Sequence, residues 1–330
     1  MASNNIGIEI GNRSVSMTQI RNGKYIMACE RLPENVVRDG TITAPEVLSG
    51  FLRDMKRKYK FIGKKCSVVL PQNATFFRSV TMPLLTEQQL ELNLPYEFRD
   101  FVGDNAVGYN YDYALMHMNE DEEGKPMSMD IVAGAALKRT VNDYAAILKR
   151  ARLKMNAAVP REMTIINLLR NAQEKGLCSD GDFCIAEISD DTTFVSIISD
   201  MELSSSKNID IACRQIDEAI ADSLITDTYL AATYRETNHD GVQELPECRA
   251  VYESIALEIL KAVNFYRYEN QQSEISRILF CGPGSRISAL TGEILNLTGL
   301  TEMEPSELLE INEEDRKDAE LCMTALGALG

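Results

Sequence analysis

Apolar and polar residues alternate from the start of the chain. Ile6-Gly7-Ile8-Glu9-Ile10-Gly11 predicts a strand, Asn12-Arg13-Ser14 a turn, and Val15-Ser16-Met17-Thr18-Gln19-Ile20 a second strand. Asn22-Gly23 comes next, two residues that accept positive φ, so a hairpin into a third strand over Tyr25 to Cys29 is expected. From about Pro45 to Tyr59 the period lengthens, and Val47, Leu48, Phe51, Leu52 and Met55 recur at helical spacing. Cys66 to Pro71 and Phe76 to Met82 return to the strand pattern. A helix over Thr86 to Phe101 opens on Thr86, with Gln89 three residues on as the second half of a capping box. Pro95 inside that run predicts a kink or a break. Tyr109 to Met118 and Met127 to Leu137 read as a hairpin across the acidic loop Asn119 to Pro126. Helices over Arg139 to Arg152 and Arg161 to Ala172 flank a strand around Met155 to Val159.

At Phe183 the pattern begins again. Phe183 to Ile188 predicts a strand, Ser189-Asp190-Asp191 a turn, and Thr192 to Ile198 a second strand. Moving the opening meander on by 178 positions sets Glu9 on Glu187, Gly11 on Ser189, Ser14 on Thr192 and Ile20 on Ile198. Internal repetition of this kind points to one fold used twice. Helices over Asp210 to Asp222 and Val251 to Tyr268 follow, then a strand Ile275 to Cys281 that ends in Gly282-Pro283-Gly284-Ser285. Ser288 to Leu297 and Asp315 to Leu329 are the last predicted helices.

Composition narrows the function classes. The chain has 330 residues, 45% of them hydrophobic and 25% charged, enough for a sizeable core and about two domains. A net charge of −16 argues against a general nucleic-acid binder, whose affinity rests on many cation–phosphate contacts. The best apolar run, Ile131 to Leu137, falls far short of the ~20 residues of a membrane span. Met1-Ala2-Ser3-Asn4-Asn5 has neither the basic start nor the apolar core of a signal peptide, so a cytoplasmic protein is expected. The eight cysteines form no CxxC and read as small buried hydrophobes. His117 and His239, the two histidines, show no metal-ligand or triad spacing, and His239 sits in a polar stretch that reads as loop. The end of the helix near residue 59 is basic: Arg53, Lys56, Arg57, Lys58, Lys60, Lys64 and Lys65. Those cations read either as a solvated face complementing the helix C-terminus or as a surface that docks to anionic lipid.

Two meanders with a carboxylate late in the first strand, and a later strand ending in a Gly-rich turn, resemble the actin/Hsp70/sugar-kinase superfamily. The resemblance implies an α/β chain with a duplicated RNase-H-like (actin-like ATPase) fold, in which two lobes clamp a nucleotide. Within the superfamily, Ile6 to Val15 is similar to the opening strand and turn of the PilM family of type IV pilus assembly, with the cell-division protein FtsA a step further. So are Ser79 to Leu90 through Tyr96-Glu97-Phe98, Tyr111-Asp112-Tyr113, Val132 to Lys138 with Val141 to Leu148, and Ala319 to Leu329. The resemblance implies a first lobe over residues 1–181, with an FtsA-type inserted subdomain at about 66–137. It implies a second lobe over 182–330 whose last helix returns to the first. The expected role is an adaptor at the inner face of the cell membrane that binds the N-terminal tail of a PilN-like bitopic membrane protein. The pilus assembly ATPase and platform proteins are further partners it implies, with the membrane reached only through a partner and no nucleic acid bound. A type II secretion adaptor, an FtsA/MreB-like cytoskeletal protein and an active ATPase or kinase of the same superfamily remain alternatives.

ATP with Mg²⁺ is the cofactor the superfamily implies. Carried over by position, its contacts would be Glu9, Gly11, Asn12, Arg13 and Ser14 at the first turn, and Glu187, Ser189, Asp190, Asp191 and Thr192 at the second. Arg235 and the late turn Gly282, Gly284, Ser285 and Arg286 would complete them, with Glu9 and Glu187 holding metal-bound water. Departures from the pattern predict a degenerate site. The first carboxylate is Glu9, not Asp; Ser16 stands for a phosphate-facing Lys, Ser189 for a Gly, and Ala232 for a ribose-binding Glu. Pro283 removes one N–H from the late turn. Phosphoryl transfer depends on positioned charge, so no catalytic residue and no efficient hydrolysis are expected.

Overall fold

The computed structural model describes residues 4–38, 40–178, 181–271 and 273–330. The first three residues of the opening pentapeptide, read above for a targeting signal, lie outside them.

The alternation produces β1 (Ile6–Ile10), β2 (Ser14–Arg21) and β3 (Lys24–Arg31). A short ribbon, β4 (Val37–Arg38) and β5 (Thr41–Ile42), leads into α1 (Pro45–Lys58). Pro45 begins that helix, where its missing N–H has no intrahelical partner to lose. α1 buries Leu48, Leu52 and Met55, and β6 (Lys65–Val69) follows. The chain then leaves this layer to build β7 (Thr75–Pro83), α2 (Glu87–Glu97), α3 (Arg99–Val102), β8 (Tyr109–Glu120) and β9 (Pro126–Leu137). These strands form a separate sheet ordered β7-β9-β8, with Leu90, Leu94 and Phe98 packed among Met82, Ile131 and Ala133. It returns through α4 (Lys138–Arg150) to β10 (Lys154–Val159). The first large sheet runs β10-β6-β1-β2-β3, with β6 and β10 parallel to β1.

The capping box forms: Thr86 Oγ1 accepts from Gln89 N–H, and Gln89 Oε1 accepts from Thr86 N–H. Pro95 does not stop α2, which continues to Glu97 before the chain breaks at Phe98. The carbonyl that Pro95 leaves without a helical donor belongs to Glu91, an exposed residue, so the lost bond does not strand a polar group in the core.

α5 (Arg161–Glu174) carries the chain to β11 (Phe183–Ile188), β12 (Thr193–Ser199) and β13 (Glu202–Ile209). α6 (Cys213–Leu224), α7 (Thr228–Thr237) and α8 (Pro246–Glu269) lead to β14 (Arg277–Cys281). α9 (Ser288–Thr298), β15 (Thr301–Met303) and α10 (Arg316–Gly327) close it. The second sheet runs β13-β12-β11-β14-β15, the order of the first read from its β3 edge, with β11, β12, β13, β14 and β15 in the places of β1, β2, β3, β6 and β10. Its register repeats too. Gly7 faces Thr18 and Glu9 faces Ser16 in β1 and β2; Ile185 faces Ser196 and Glu187 faces Phe194 in β11 and β12, each position moved on by 178.

α5 and α10 fill the space between the sheets. Ile165, Leu169, Met323 and Leu326 pack with Phe183, Ile185 and Ile198 of the second sheet. On its other side α10 meets the first sheet, where Ser16 Oγ donates to Leu321 O (2.9 Å) and Thr18 Oγ1 to Ala325 O (3.0 Å). Gly7 permits this approach, because a Cβ there would lie 2.0 Å from Ala325 O. Six of the eight cysteines are buried, and burial pushes the Cys66, Cys184 and Cys213 thiols up to about 12. They are the small hydrophobes expected. Among the described residues no helix is long and apolar enough to cross a membrane.

Candidate functional site

A cleft of about 470 Å³ opens where the C-terminal ends of β1 and β11 face each other. Each strand places its carboxylate, Glu9 or Glu187, one residue before its end and then turns sharply. The two turns are closed alike, Gly11 N–H donating to Ser14 O (2.9 Å) and Ser189 N–H to Thr192 O (3.0 Å). The third turn follows β14. Gly282 takes φ +81°, against Ile188 O, and donates its N–H to Glu320 O of α10 (2.9 Å). Glu9, Gly11, Asn12, Arg13, Ser14, Glu187, Ser189, Asp190, Asp191, Thr192, Arg235, Gly282 and Arg286 all line the cleft. Gly284 and Ser285 do not: Gly284 is buried on Ile188, and Ser285 Oγ folds back to Gly282 O (2.7 Å).

The residue between the two carboxylates is one the sequence reading passed over. Arg161, at the first position of α5, forks across the cleft floor. Its Nη2 reaches Glu9 Oε1 at 2.5 Å and its Nη1 reaches Glu187 Oε1 at 2.6 Å. Thr324 Oγ1 of α10 donates to the same Glu187 oxygen (3.2 Å). Burial pushes the Glu9 carboxyl up to about 7, against the pull of the Arg161 guanidinium. Two carboxylates desolvated side by side need a cation, and a planar guanidinium supplies one charge with a donor for each. One signal for Arg161 was visible. A cation in the first turn of a helix opposes the macrodipole, so it needs strong partners elsewhere.

Further links cross the cleft. Asn12 Nδ2 donates to Asp191 Oδ2 (2.7 Å), tying the first turn to the second. Arg13 Nη1 reaches Asp217 Oδ2 of α6 at 3.2 Å, and Asp217, fully buried, also accepts from Arg235 Nε (2.6 Å). Arg31 lies 3.7 Å from Glu236 Oε1 and stacks on the Tyr229 ring at 4.5 Å. Arg286 turns to α10, donating to Lys317 O (2.5 Å). Arg235 is 1% exposed, and its Nη2 has no hydrogen-bond partner among the described residues, with Asp190 Oδ1 3.9 Å away. Burial pushes Asp190 up, opposed by Arg235.

These residues do not fit a Mg²⁺-bound triphosphate. A divalent ion shared by Glu9 and Glu187, the metal ligands expected above, would have to displace Arg161. Among the described residues no group of three His, Cys, Asp or Glu side chains is placed to hold a metal ion. The turn N–H groups of Gly11, Ser189 and Gly282 are already bonded within the protein, and Pro283 has none. Arg13 and Arg235 are both paired with Asp217, and the position expected to carry a ribose-binding carboxylate is the buried Ala232. No phosphoryl-transfer step follows from this arrangement.

The structure is similar to a solved "PilM-PilN type IV pilus biogenesis complex", with a TM-score of 0.82 and 17% identity over 100% of this chain and 98% of that one. It is also similar to the ethanolamine utilization protein EutJ from Carboxydothermus hydrogenoformans, with a TM-score of 0.61 and 14% identity over 98% and 88% of the two chains. At these identities the likeness is one of fold, the actin-like ATPase fold. None of the curated proteins compared with the chain matches it. The sequence profile described as Type IV pilus assembly protein PilM matches residues 7–327. With that match spanning both sheets and the cleft between them, the chain belongs to the PilM family of type IV pilus assembly proteins.

Proposed function

We propose that this chain is an adaptor of type IV pilus assembly that captures the cytoplasmic tail of a PilN-like single-span membrane protein. The observation that carries the reading is the family match over residues 7–327, together with the likeness to a PilM solved in complex with PilN. The inserted sheet supports it. Leu90 and Leu94 of α2 turn into that sheet's core, while Leu92 and Tyr96 stand 72% exposed on the opposite side. A helix apolar on both faces suits cover on both, and an extended apolar tail would supply the second layer. In this reading the cleft is a joint between the lobes, held by Arg161 without nucleotide turnover. The membrane is reached through the partner.

Calorimetry with a synthetic peptide of the partner's cytoplasmic tail tests the proposal. Binding is expected, weakened about tenfold or more by Tyr96→Asp, as for a buried aromatic anchor. A folded protein that does not bind the peptide would overturn the adaptor reading.

A further inference from the structure

In the first sheet each crossover helix delivers its C-terminus to the edge where the parallel strands begin. α1 precedes β6 and α4 precedes β10, so both helix ends and both strand starts gather at one edge. The cleft lies at the other end of the same strands. Cations crowd this edge. Lys60, Lys64 and Lys65 lie between α1 and β6 or at the start of β6, and Lys149, Arg152 and Lys154 lie at the end of α4 and the start of β10. Backbone contacts make them one surface. Lys154 pairs with Lys65 in the ladder and donates its N–H to Lys64 O (2.6 Å). Arg21 Nη1 donates to Lys60 O (3.4 Å), and Arg53 Nη1 to Arg150 O (3.2 Å).

All six side chains are exposed, and they make no ion pair with any described residue. Their neighbours Arg57, Lys58 and Arg150 are paired, with Asp54, Glu30 and Glu46 respectively. Complementing helix dipoles does not account for the rest. The last turn of α1 already holds Lys56, Arg57 and Lys58, and that of α4 holds Lys149 and Arg150. Lys60, Lys64, Lys65, Arg152 and Lys154 lie past both helices. On a chain of net charge −16, uncompensated cations collected at one edge make a local field of opposite sign. Two apolar side chains stand among them, Ile20 at 40% and Ile62 at 41% exposure. Ile62 is held there by Gln19, which donates to Ile62 O (2.8 Å) and accepts from its N–H (3.1 Å).

We propose that this edge docks on the anionic phospholipid headgroups of a membrane. A planar anionic surface meets the edge alone, with the cations at the phosphates and the two isoleucines at the headgroup boundary. A long nucleic acid would run on past the edge to the acidic remainder, so lipid is the better match. The inference does not rest on the adaptor reading, because it uses neither the inserted sheet nor a PilN-like tail. If both hold, a weak lipid contact and a tethering partner together make the two signals that stable anchoring requires.

Flotation with phosphatidylcholine vesicles, with and without about 30% phosphatidylglycerol, tests it. The full chain is expected to float with the anionic vesicles and not with pure phosphatidylcholine, and to release at about 0.5 M salt. Replacing Lys60→Gln, Lys64→Gln and Lys65→Gln together should lower the partition coefficient about 100-fold, near fivefold per charge, with an unchanged Tm. Arg152→Gln with Lys154→Gln gives a second variant should the first fold poorly, expected to lose about 25-fold. Absence of flotation, equal flotation with zwitterionic vesicles, or variants that bind as the parent does would overturn the proposal. So would tighter binding to a short DNA duplex than to the anionic vesicles at the same salt.

Discussion

Arg161 sets the character of the cleft. Its guanidinium is shared by Glu9 and Glu187, one carboxylate from the end of each central strand, and its side chain is only 17% exposed. Removing one member of a buried ionic group leaves the others uncompensated, which costs more than the group contributes intact. Arg161→Met is therefore expected to destabilise the protein by about 3–5 kcal/mol in urea unfolding. Adding Glu9→Gln to that variant should return a large part of the loss, because one of the two facing charges is then gone. A double variant no more stable than Arg161→Met would show that the carboxylates do not repel across the cleft. The same logic explains Asp217, fully buried yet flanked by Arg13 and Arg235, a pairing that makes the three a unit. Asp217 had no motif to mark it. Its role comes from where α6 places it.

The last helix joins what the two sheets keep apart. α10 takes hydrogen bonds from Ser16 and Thr18 of β2, sends Thr324 to Glu187, and accepts the Gly282 N–H at Glu320 O. Its closeness to β1 depends on the missing side chain at residue 7. Gly7→Ala puts a methyl group 2.0 Å from Ala325 O, backbone that cannot rotate away, so α10 must shift. A cost of about 1–3 kcal/mol is expected, read as a lower midpoint in chemical denaturation. An unchanged midpoint would mean that α10 is loosely held. Most elements were legible because their signals are local: alternation for the meanders, Asn22-Gly23 for the hairpin, Thr86 with Gln89 for the start of α2. β15 was not, since three residues, Thr301–Met303, are too short to show a period. α8 begins at Pro246, ahead of the predicted Val251, because Pro246-Glu247 is itself a good helix start that its polar surroundings concealed.

Taken whole, the molecule is two sheets of one topology facing across a cleft, with α5 and α10 between them. The resemblance in the sequence implies a nucleotide in such a cleft; in the structure its walls are joined by Asn12 with Asp191, Arg13 with Asp217 and Arg161 with both glutamates. A ligand would have to break those links before making its own. Mg²⁺–ATP at about 1 mM would add about 2.7 kcal/mol if its Kd were about 10 μM. The expected result is a shift in Tm of less than about 1 °C, with no heat of binding in calorimetry. A clear low-micromolar affinity would show that the links open readily and that the cleft still takes nucleotide.

Fold class and duplication were written in the chain itself, because hydrophobic period and turn chemistry are properties of neighbouring residues. A 178-residue shift in those signals anticipates the repeated register of β1 with β2 and β11 with β12. Of the fifteen positions that the superfamily resemblance implies, thirteen line the cleft, twelve at strand ends and turns and Arg235 within α7. What holds those positions together had to wait for the tertiary structure. Arg161 and Glu9 are 152 residues apart, and Arg13 and Asp217 are 204 apart, distances over which sequence pattern carries no pairing information. The basic edge is the same case: its two runs of cations are legible, but only the parallel pairing of β6 with β10 makes them one surface. Charges act through space, and only the folded chain fixes which of them are near.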